Sequence, residues 1–410
     1  MQRPGHIGSY YAATAHAAPP RPALEGTVEC DVCVVGAGIA GCSSALHLAQ
    51  AGLSVVLLEQ HRVSWGASGR SGGQALFGIA TGQEKLERLI GAADARAVWE
   101  VSVEALALMR DLIARYAIEC DWADGYLYTA VRERHVRELE AELTELRELL
   151  ATDRYLGALY DSNSAHLHPL NYTLGLARAA EQHGVRNFEA TRATRFAPAG
   201  AQVRVQTPGG EVRARFLVLC GNVYLGDTAP WLAARIMPVA TYIVATETLG
   251  PERAQQLIVN NAAVSDMNWV LDYFRRSADH RLLFGGRVNY SGLKSFDAPG
   301  ATRARMLRVF PQLEGVRIDY AWGGHVDITL NRAPHFGRLA PNVYFLQGFS
   351  GHGIALTGIA GKLVADAIRG TAERFDVFAR IPHANFPGGA ALRRPALVLA
   401  MLWYRLRDLL

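Results

Sequence analysis

The sequence has few cysteines and no long hydrophobic run. Its 410 residues include five cysteines, whose number and spacing do not form a disulfide framework. Cys30 and Cys33 have CxxC spacing, but no second cysteine pair completes a metal site, so we predict reduced thiols, no bound metal and a cytoplasmic protein. No stretch approaches about 18 consecutive apolar residues, which argues against a membrane-spanning helix.

Lysine is also scarce, and nearly all of the basic residues are arginines. The lysines are Lys85, Lys294 and Lys362, and the formal net charge is only +4. A small net charge on a chain of this length gives no basic footprint, so we predict no nucleic-acid partner. Half of the residues are hydrophobic (50%) and 20% are charged, as in globular proteins, and the length suggests two domains.

A glycine-rich turn near the N-terminus predicts a dinucleotide site. The apolar run 31–35 precedes Gly36, Gly38 and Gly41, which form a GxGxxG motif before a helical stretch. Such glycines allow a tight turn, close approach to a pyrophosphate and helix–strand packing. A second apolar run, 54–58, ends in Glu59, where a carboxylate can accept hydrogen bonds from ribose hydroxyls. The predicted dinucleotide contacts are Gly36, Ala37, Gly38, Ile39, Ala40, Gly41, Glu59 and Gln60.

The segment SWGASGRSGGQ, residues 64–74, follows the acid directly and is rich in small residues. NAD has no evident need for a second flexible clamp there, whereas FAD is longer and needs backbone donors along its pyrophosphate and isoalloxazine. We therefore favour FAD, and a plain surface loop is the alternative. The predicted contacts in this segment are Trp65, Gly66, Ala67, Ser68, Gly69, Arg70, Ser71, Gly73 and Gln74.

A third segment, residues 343–370, has the pattern strand, glycine loop and helix. Gly348, Gly351 and Gly353 allow close approach to a flat ring, and a helix that begins near Ile354 directs its positive end at that ring. The chain has one dinucleotide fingerprint, so we expect the substrate itself to reduce the flavin and O2 or a carrier to reoxidise it.

These three motifs, in this order, resemble the D-amino acid oxidase type of FAD-dependent amine and amino-acid oxidoreductases. The stretches SYYAAT, HLHPLNY, GTAERFDVFARIPH and MLWYRLRDLL further resemble the γ-glutamylputrescine oxidase branch of that family. The resemblance implies an α/β fold (α+β overall), with a Rossmann-type FAD-binding domain and a discontinuous antiparallel-sheet substrate domain. It also implies that Gly221 and Asn222 lie close to the cofactor.

The predicted domains follow from this resemblance. Segments 28–82, 165–236 and 325–375 form the FAD-binding domain, and segments 83–164 and 237–324 form the substrate domain. Residues 1–27 form an N-terminal arm, the pattern over 131–150 predicts a helix, and residues 376–410 form a C-terminal tail helix. A tail helix docked on the body is favoured over contact with a membrane surface.

The resemblance also implies a chemistry. A neutral amine loses hydride from its α-carbon to FAD, which we expect to be bound non-covalently, and the imine hydrolyses to an aldehyde and ammonia. His352 is predicted to tune flavin or O2 chemistry, Tyr273 to line the substrate pocket, and Asp327, with His325 beside it, to hold a cationic substrate.

Two positions predict which amine is oxidised. Val326 stands where glycine oxidase has an arginine for the substrate carboxylate, and Ala355 stands where sarcosine oxidase has a lysine. An amine without a carboxylate on its reacting carbon fits this apolar slot, and γ-glutamylputrescine, with its distant carboxylate near Arg275 or Arg276, is the predicted substrate. The alternatives are a D-amino acid or N-methyl amino acid oxidase, a dehydrogenase that feeds a membrane carrier, a tRNA-modifying flavoprotein and a non-catalytic flavin-binding protein.

Overall fold

The computed structural model describes residues 5–133, 135, 150, 152–268, 271–289 and 297–387, together with positions 395, 398, 399 and 403. The described helices are α1 (Tyr10–Thr14), α2 (Ile39–Gln50), α3 (Gln83–Ile90), α4 (Ala92–Arg115), α5 (Pro169–Gln182), α6 (Pro230–Ala233), α7 (Pro251–Leu257), α8 (Ala298–Val309), α9 (Gly353–Ile368) and α10 (Glu373–Ala379). The described strands are β1 (Gly26–Val35), β2 (Val55–Leu58), β3 (Gln74–Ala75), β4 (Ala123–Ala130), β5 (Gly157–His166), β6 (Arg186–Phe188), β7 (Arg195–Ala199), β8 (Gln202–Thr207), β9 (Gly210–Leu219), β10 (Met237–Thr246), β11 (Ala263–Asp266), β12 (Tyr273–Arg276), β13 (Leu282–Asn289), β14 (Ile318–Ile328), β15 (His335–Ala340) and β16 (Val343–Gln347).

The first sheet contains a parallel core in the order β16-β9-β1-β2-β6. β1 runs through its centre, and its last four residues, Val32–Val35, are buried, as expected for apolar residues covered on both faces. β15 adds antiparallel to β16, and the hairpin β7–β8 adds antiparallel to β9. The carboxyl ends of β1 and β2 therefore lie side by side, at the edge of the sheet where α/β proteins bind ligands.

Helices α2 and α9 pack closely against each other because small residues line their contact. A Cβ atom on Gly361 would lie 2.5 Å from the backbone nitrogen of Ser44, so only glycine fits there. The Ser43 hydroxyl donates a hydrogen bond of 2.6 Å to the carbonyl of Gly358 and fixes the two helices in register. Both helices therefore begin at the same side of the first sheet.

The second sheet has the strand order β14-β10-β13-β12-β11-β4-β5-β3. All neighbouring pairs are antiparallel except β4 and β11, which are parallel. One face packs against α8 around Phe274 and Phe284, which are buried and stacked at 5.6 Å. The predicted α/β fold, a Rossmann-type sheet with a second and mainly antiparallel sheet, is confirmed.

The N-terminal arm joins the two sheets. Tyr11 is fully buried between His168 and Trp322, with ring centroids 5.0 and 5.3 Å away. The hydroxyl of Tyr10 donates to Asp279 beside the second sheet. Further along the arm, Arg21 pairs with Glu181 at 2.6 Å, beside the first sheet.

The division into domains stays a prediction, but three elements, β3, the end of β14 and α4, contact a different part of the fold from the one that the predicted segments assign to them. β3 and the last residues of β14 belong to the second sheet, although they fall in segments predicted for the FAD-binding domain. α4 packs its buried face against α9 rather than only within a substrate domain. The predicted helix over 131–150, and the tail helix beyond α10, lie largely outside the described residues.

No helix among the described residues is long and apolar enough to cross a membrane. All five cysteines are free, and four of them are buried.

Candidate active site

A long cleft opens where the carboxyl ends of β1, β2 and β9 meet the end of β14. It encloses about 1240 Å³ of space not filled by atoms, with the open solvent at its mouth included. The predicted site residues that line it are Gly36, Gly38, Ile39, Ala40, Glu59, Gln60, Trp65, Gly66, Ala67, Ser68, Ser71, Gly221, Asn222, Asp327, Gly351, Gly353 and Ile354. The three glycine-rich segments, far apart in sequence, thus meet at one cleft.

The turn between β1 and α2 forms the floor of the cleft. Gly36 has a φ of +101°, and a Cβ atom there would lie 2.9 Å from backbone atoms of Cys220 and Gly221. Gly38 is the N-cap of α2 and offers no side chain, while the Ser68 hydroxyl accepts a hydrogen bond of 3.0 Å from Ile39 N–H. The beginning of α2 therefore faces the cleft with its positive end, which suits a pyrophosphate.

Glu59 closes one end of this floor. Its carboxylate accepts hydrogen bonds of 2.9 Å from the backbone N–H groups of Ala37 and His61. Burial raises the pKa of Glu59 to about 7, and the neighbouring carboxylate of Glu189 adds to the rise, while the two backbone donors oppose it. Hydroxyl donors from a ribose would favour the charged form of this carboxylate.

Because of this raised pKa, FAD is expected to bind more tightly as the pH rises from about 6 to about 8. Protonated Glu59 must lose its proton before it can accept two ribose hydroxyls, so affinity follows ionisation. Glu59→Gln should remove this dependence and weaken binding by roughly 1.5–3 kcal/mol. Fluorescence titration of the apoprotein with FAD at several pH values measures both effects. Glu25→Gln, at an exposed position, is the control. An unchanged pH dependence in Glu59→Gln would rule out this role.

Trp65 forms part of the cleft wall within a stack of rings and one cation. The His61 ring lies 3.9 Å from it, and the Arg70 guanidinium carbon also lies 3.9 Å from its ring centre. Arg70 donates through Nε to the carbonyl of Trp65, and its own carbonyl accepts from the indole of Trp322. Arg70 does not itself line the cleft, so it supports Trp65 from behind.

The loop before α9 forms the opposite wall, and Asp327 holds it in place. The Asp327 carboxylate, which is 3% exposed, accepts hydrogen bonds from the backbone N–H groups of Gly348 and Phe349 and from the Asn222 side chain. Burial raises its pKa to about 6. Asp327 therefore holds the end of β14 against this loop, and its predicted role in holding a cationic substrate stays a prediction.

His352 is the N-cap of α9, and its side chain makes no capping hydrogen bond. Burial lowers its pKa to about 4, and the charge of Arg332 acts in the same direction, so the ring is neutral near pH 7. Its Nδ1 atom is buried without a hydrogen-bond partner among the described residues. The ring does not line the cleft itself.

Tyr273 lies on β12, in the face of the second sheet that meets the segment Ser71–Gly73. A Cβ atom on Gly72 would lie 2.7 Å from its ring, and one on Gly285 would lie 2.3 Å from it. The ring thus covers two glycines at the junction of the sheets. The other predicted contacts that do not line the cleft are Ala37, Gly41, Gly69, Gly73, Gln74 and Gly348.

Several cleft residues were missed by the sequence analysis. Tyr224 follows the predicted Gly221 and Asn222 closely and contacts Trp65, with ring centroids 5.7 Å apart, so an extension of that segment would have found it. Residues 191–193 carry no motif and reach the cleft only because β6 lies beside β2. The missed residues include His61, Thr191, Arg192, Ala193, Tyr224, Thr228, Phe349 and Thr357.

The residues of the cleft fit an FAD molecule. Among the described residues that line the cleft, Tyr224 Oη and Asn222 Oδ1 are buried without hydrogen-bond partners, as groups that await a polar ligand are. The beginnings of α2 and α9 both meet the cleft, and a Cβ atom on Gly351 would find open space. The fingerprint and Glu59 suit the adenosine and pyrophosphate, which leaves the α9 wall for the ring system.

Comparison with known proteins identifies the class. The family model described as DAO, FAD dependent oxidoreductase, matches residues 31–367, so the chain belongs to this family of FAD-dependent enzymes. The predicted cofactor, FAD, and the predicted class, an FAD-dependent oxidoreductase, are confirmed.

Individual relatives add detail. The chain is 42% identical to γ-glutamylputrescine oxidoreductase of Escherichia coli K12, over 98% of each chain. It is 40% identical to the probable oxidoreductase OrdL of Haemophilus influenzae, over 98% of this chain and 97% of the relative. The crystal structure of glycine oxidase from Bacillus cereus has the same fold, with a TM-score of 0.71 at 20% identity over 87% of this chain and 99% of that chain.

Proposed function

We propose that the protein oxidises the primary amine of γ-glutamylputrescine to an aldehyde. In the overall reaction, amine, water and O2 give aldehyde, ammonia and hydrogen peroxide. Bound FAD supplies the two-electron acceptor for this oxidation. Two observations support the proposal most strongly: the 42% identity to the E. coli oxidoreductase over 98% of each chain, and the apolar residue at position 326 of the cleft.

The cleft wall supports an amine whose reacting carbon carries no carboxylate. Val326 lines the cleft at the place where the resemblance puts the arginine of glycine oxidase. Ala355, the second half of the predicted apolar slot, lies in the first turn of α9, is 1% exposed and does not line the cleft, so the slot depends on Val326. Val326 itself offers no cation, so a carboxylate buried beside it would need a cationic partner from another residue, and an unpaired one is unfavourable.

The distant carboxylate of the substrate needs a cation, and Arg275 cannot supply it. Arg275 is 3% exposed, and its donors are engaged by protein groups, Gly72 and Leu167 among them. Arg276 is half-buried and donates to Asn261, which leaves part of its guanidinium for a ligand. Arg276, and not Arg275, is therefore the proposed partner of the distant carboxylate.

The remaining roles follow from where the residues lie. We propose that Tyr273 lines the substrate side of the cofactor and that neutral His352, at the beginning of α9, lies near the ring. The positive end of α9 then favours an anionic reduced cofactor. In the same proposal FAD is held without a covalent bond, and the location in the cytoplasm stays a prediction.

Amine turnover in air tests the proposal. With γ-glutamylputrescine, one aldehyde, one ammonia and one hydrogen peroxide are expected for each O2 consumed, as measured by an oxygen electrode and peroxidase coupling. A heat-denatured sample containing the same free flavin is the control. Absence of aldehyde at saturating amine, with FAD fully bound, would contradict the proposal.

Reoxidation by O2 is a separate expectation. Among the described residues no lysine lines the cleft. Lys85 donates to the carbonyl of Asn331, and Lys362 pairs with Asp366 on α9. We nevertheless expect reoxidation faster than that of free reduced flavin, because the positive end of α9 favours the superoxide anion formed first. Stopped-flow mixing of reduced enzyme with O2 measures the rate, and a rate equal to that of free flavin would indicate a dehydrogenase.

A further inference from the structure

Arg275 carries a positive charge that is buried. Arg275 is 3% exposed, and its guanidinium forms no ion pair with a carboxylate among the described residues. Asp279, which accepts from Tyr10 close by, pairs with Arg281 at 2.7 Å instead. A buried charge without a counter-ion is unfavourable for folding, so its presence calls for another explanation.

Neutral groups surround the guanidinium. Nε donates to the carbonyl of Gly72 at 2.8 Å, and Nη2 donates to the carbonyl of Leu167 at 2.9 Å and to the hydroxyl of Tyr11 at 3.0 Å. Nη1 donates to the carbonyl of Arg276 at 3.0 Å and faces His166 Nδ1 at 3.4 Å. Burial, and then the charge of Arg275, lowers the pKa of His166 to about 3, so this ring is neutral.

The guanidinium contacts the segment that directly follows Ser71, a residue of the cleft wall. Ser71 lines the cleft, and the next carbonyl along the chain, that of Gly72, is the one that Arg275 binds. A Cβ atom on Gly73 would lie 2.3 Å from the carbonyl of Leu167 and 3.0 Å from Nη2 of Arg275. The segment Ser71–Gly73 is thus pressed against Arg275, and its glycines permit this contact.

We infer that Arg275 is a positioning residue that places a fixed positive charge beside the FAD cleft and so stabilises the reduced cofactor. Reduction of FAD by two electrons with uptake of one proton adds one negative charge to the ring system, and the electrons come from the oxidised substrate. A fixed charge in a medium of low dielectric constant favours the more negative state. The hydrogen bond from Arg275 to the carbonyl of Gly72 fixes the guanidinium relative to the cleft wall.

Sulfite affinity and the two-electron reduction potential of the FAD-loaded enzyme test this inference without any substrate. Sulfite adds to oxidised flavin and leaves one negative charge on it. Arg275→Gln removes the charge and should weaken sulfite binding by roughly tenfold and lower the potential. Arg275→Lys keeps the charge and should stay within about twofold of the wild-type dissociation constant.

A matched pair at His166 distinguishes charge from packing. His166→Asp places a carboxylate beside Nη1 and should weaken sulfite binding about as much as Arg275→Gln, although every donor of Arg275 remains. His166→Asn is similar in size and uncharged, and it should behave as wild type. If Arg275→Gln does not retain FAD, the comparison of His166→Asp with His166→Asn tests the inference on its own. Equal values for His166→Asp and His166→Asn, or unchanged values in Arg275→Gln, would overturn the inference.

Discussion

Gly38→Trp is expected to abolish FAD binding. Gly38 is the N-cap of α2 and lines the cleft floor, where even a Cβ atom would lie 2.8 Å from the hydroxyl of Ser68. An indole at this position fills the space beside the first N–H groups of α2, which the pyrophosphate needs. The purified variant should be colourless and should show no quenching of added FAD fluorescence.

A tryptophan elsewhere on the same helix is the control. Gln50 ends α2 and is exposed, so Gln50→Trp should bind FAD as the wild type does. Circular dichroism of both apoproteins separates loss of the site from loss of the fold. Yellow Gly38→Trp protein with a normal flavin spectrum would show that the cofactor does not pass over the beginning of α2.

Val326→Arg is expected to lower the rate constant for anaerobic flavin reduction by γ-glutamylputrescine by roughly 100-fold. A guanidinium in this part of the cleft repels the substrate ammonium and fills the apolar slot, and about 2–3 kcal/mol corresponds to this factor. The same variant should gain reduction by glycine or D-alanine, because the new cation can pair with their carboxylate. Stopped-flow absorbance of the oxidised flavin measures both rates.

Val326→Met has a long side chain without a charge and separates bulk from electrostatics. It should reduce the rate with γ-glutamylputrescine less than Val326→Arg and should gain nothing with glycine. If Val326→Arg and Val326→Met behave alike towards both substrates, the residue at 326 does not select against a carboxylate.

Local patterns were enough to predict the first half of the cleft. The run 31–35 lies within β1. The GxGxxG motif spans the turn after β1 and the first residues of α2, and the run 54–58 is β2 with the residue before it. These features depend on residues that are close in sequence, where alternation, glycine freedom and helix spacing act directly. The strand, loop and helix over 343–370 could be predicted for the same reason.

Contacts that join distant segments could not be predicted in this way. A carboxylate such as that of Asp327 is able to bind a cationic substrate. The sequence does not show that Asp327 accepts hydrogen bonds from N–H groups of a loop that β14 and β16 bring beside it. From the sequence, Arg275 likewise has the chemistry of a residue that could bind a carboxylate. Only the structure shows that its N–H groups already donate to the N-terminal arm and to the segment Ser71–Gly73. The identity of a side chain gives its chemistry, while its neighbours decide whether that chemistry is available.

Anaerobic mixing of the FAD-loaded enzyme with a panel of amines shows whether the substrate is an amine without a carboxylate on its reacting carbon. The panel contains γ-glutamylputrescine, putrescine, sarcosine, glycine and D-alanine at equal concentration, and the loss of oxidised flavin absorbance is followed in each case. We expect the fastest bleaching with γ-glutamylputrescine. Fast bleaching by sarcosine or D-alanine, with none by γ-glutamylputrescine or putrescine, would contradict it.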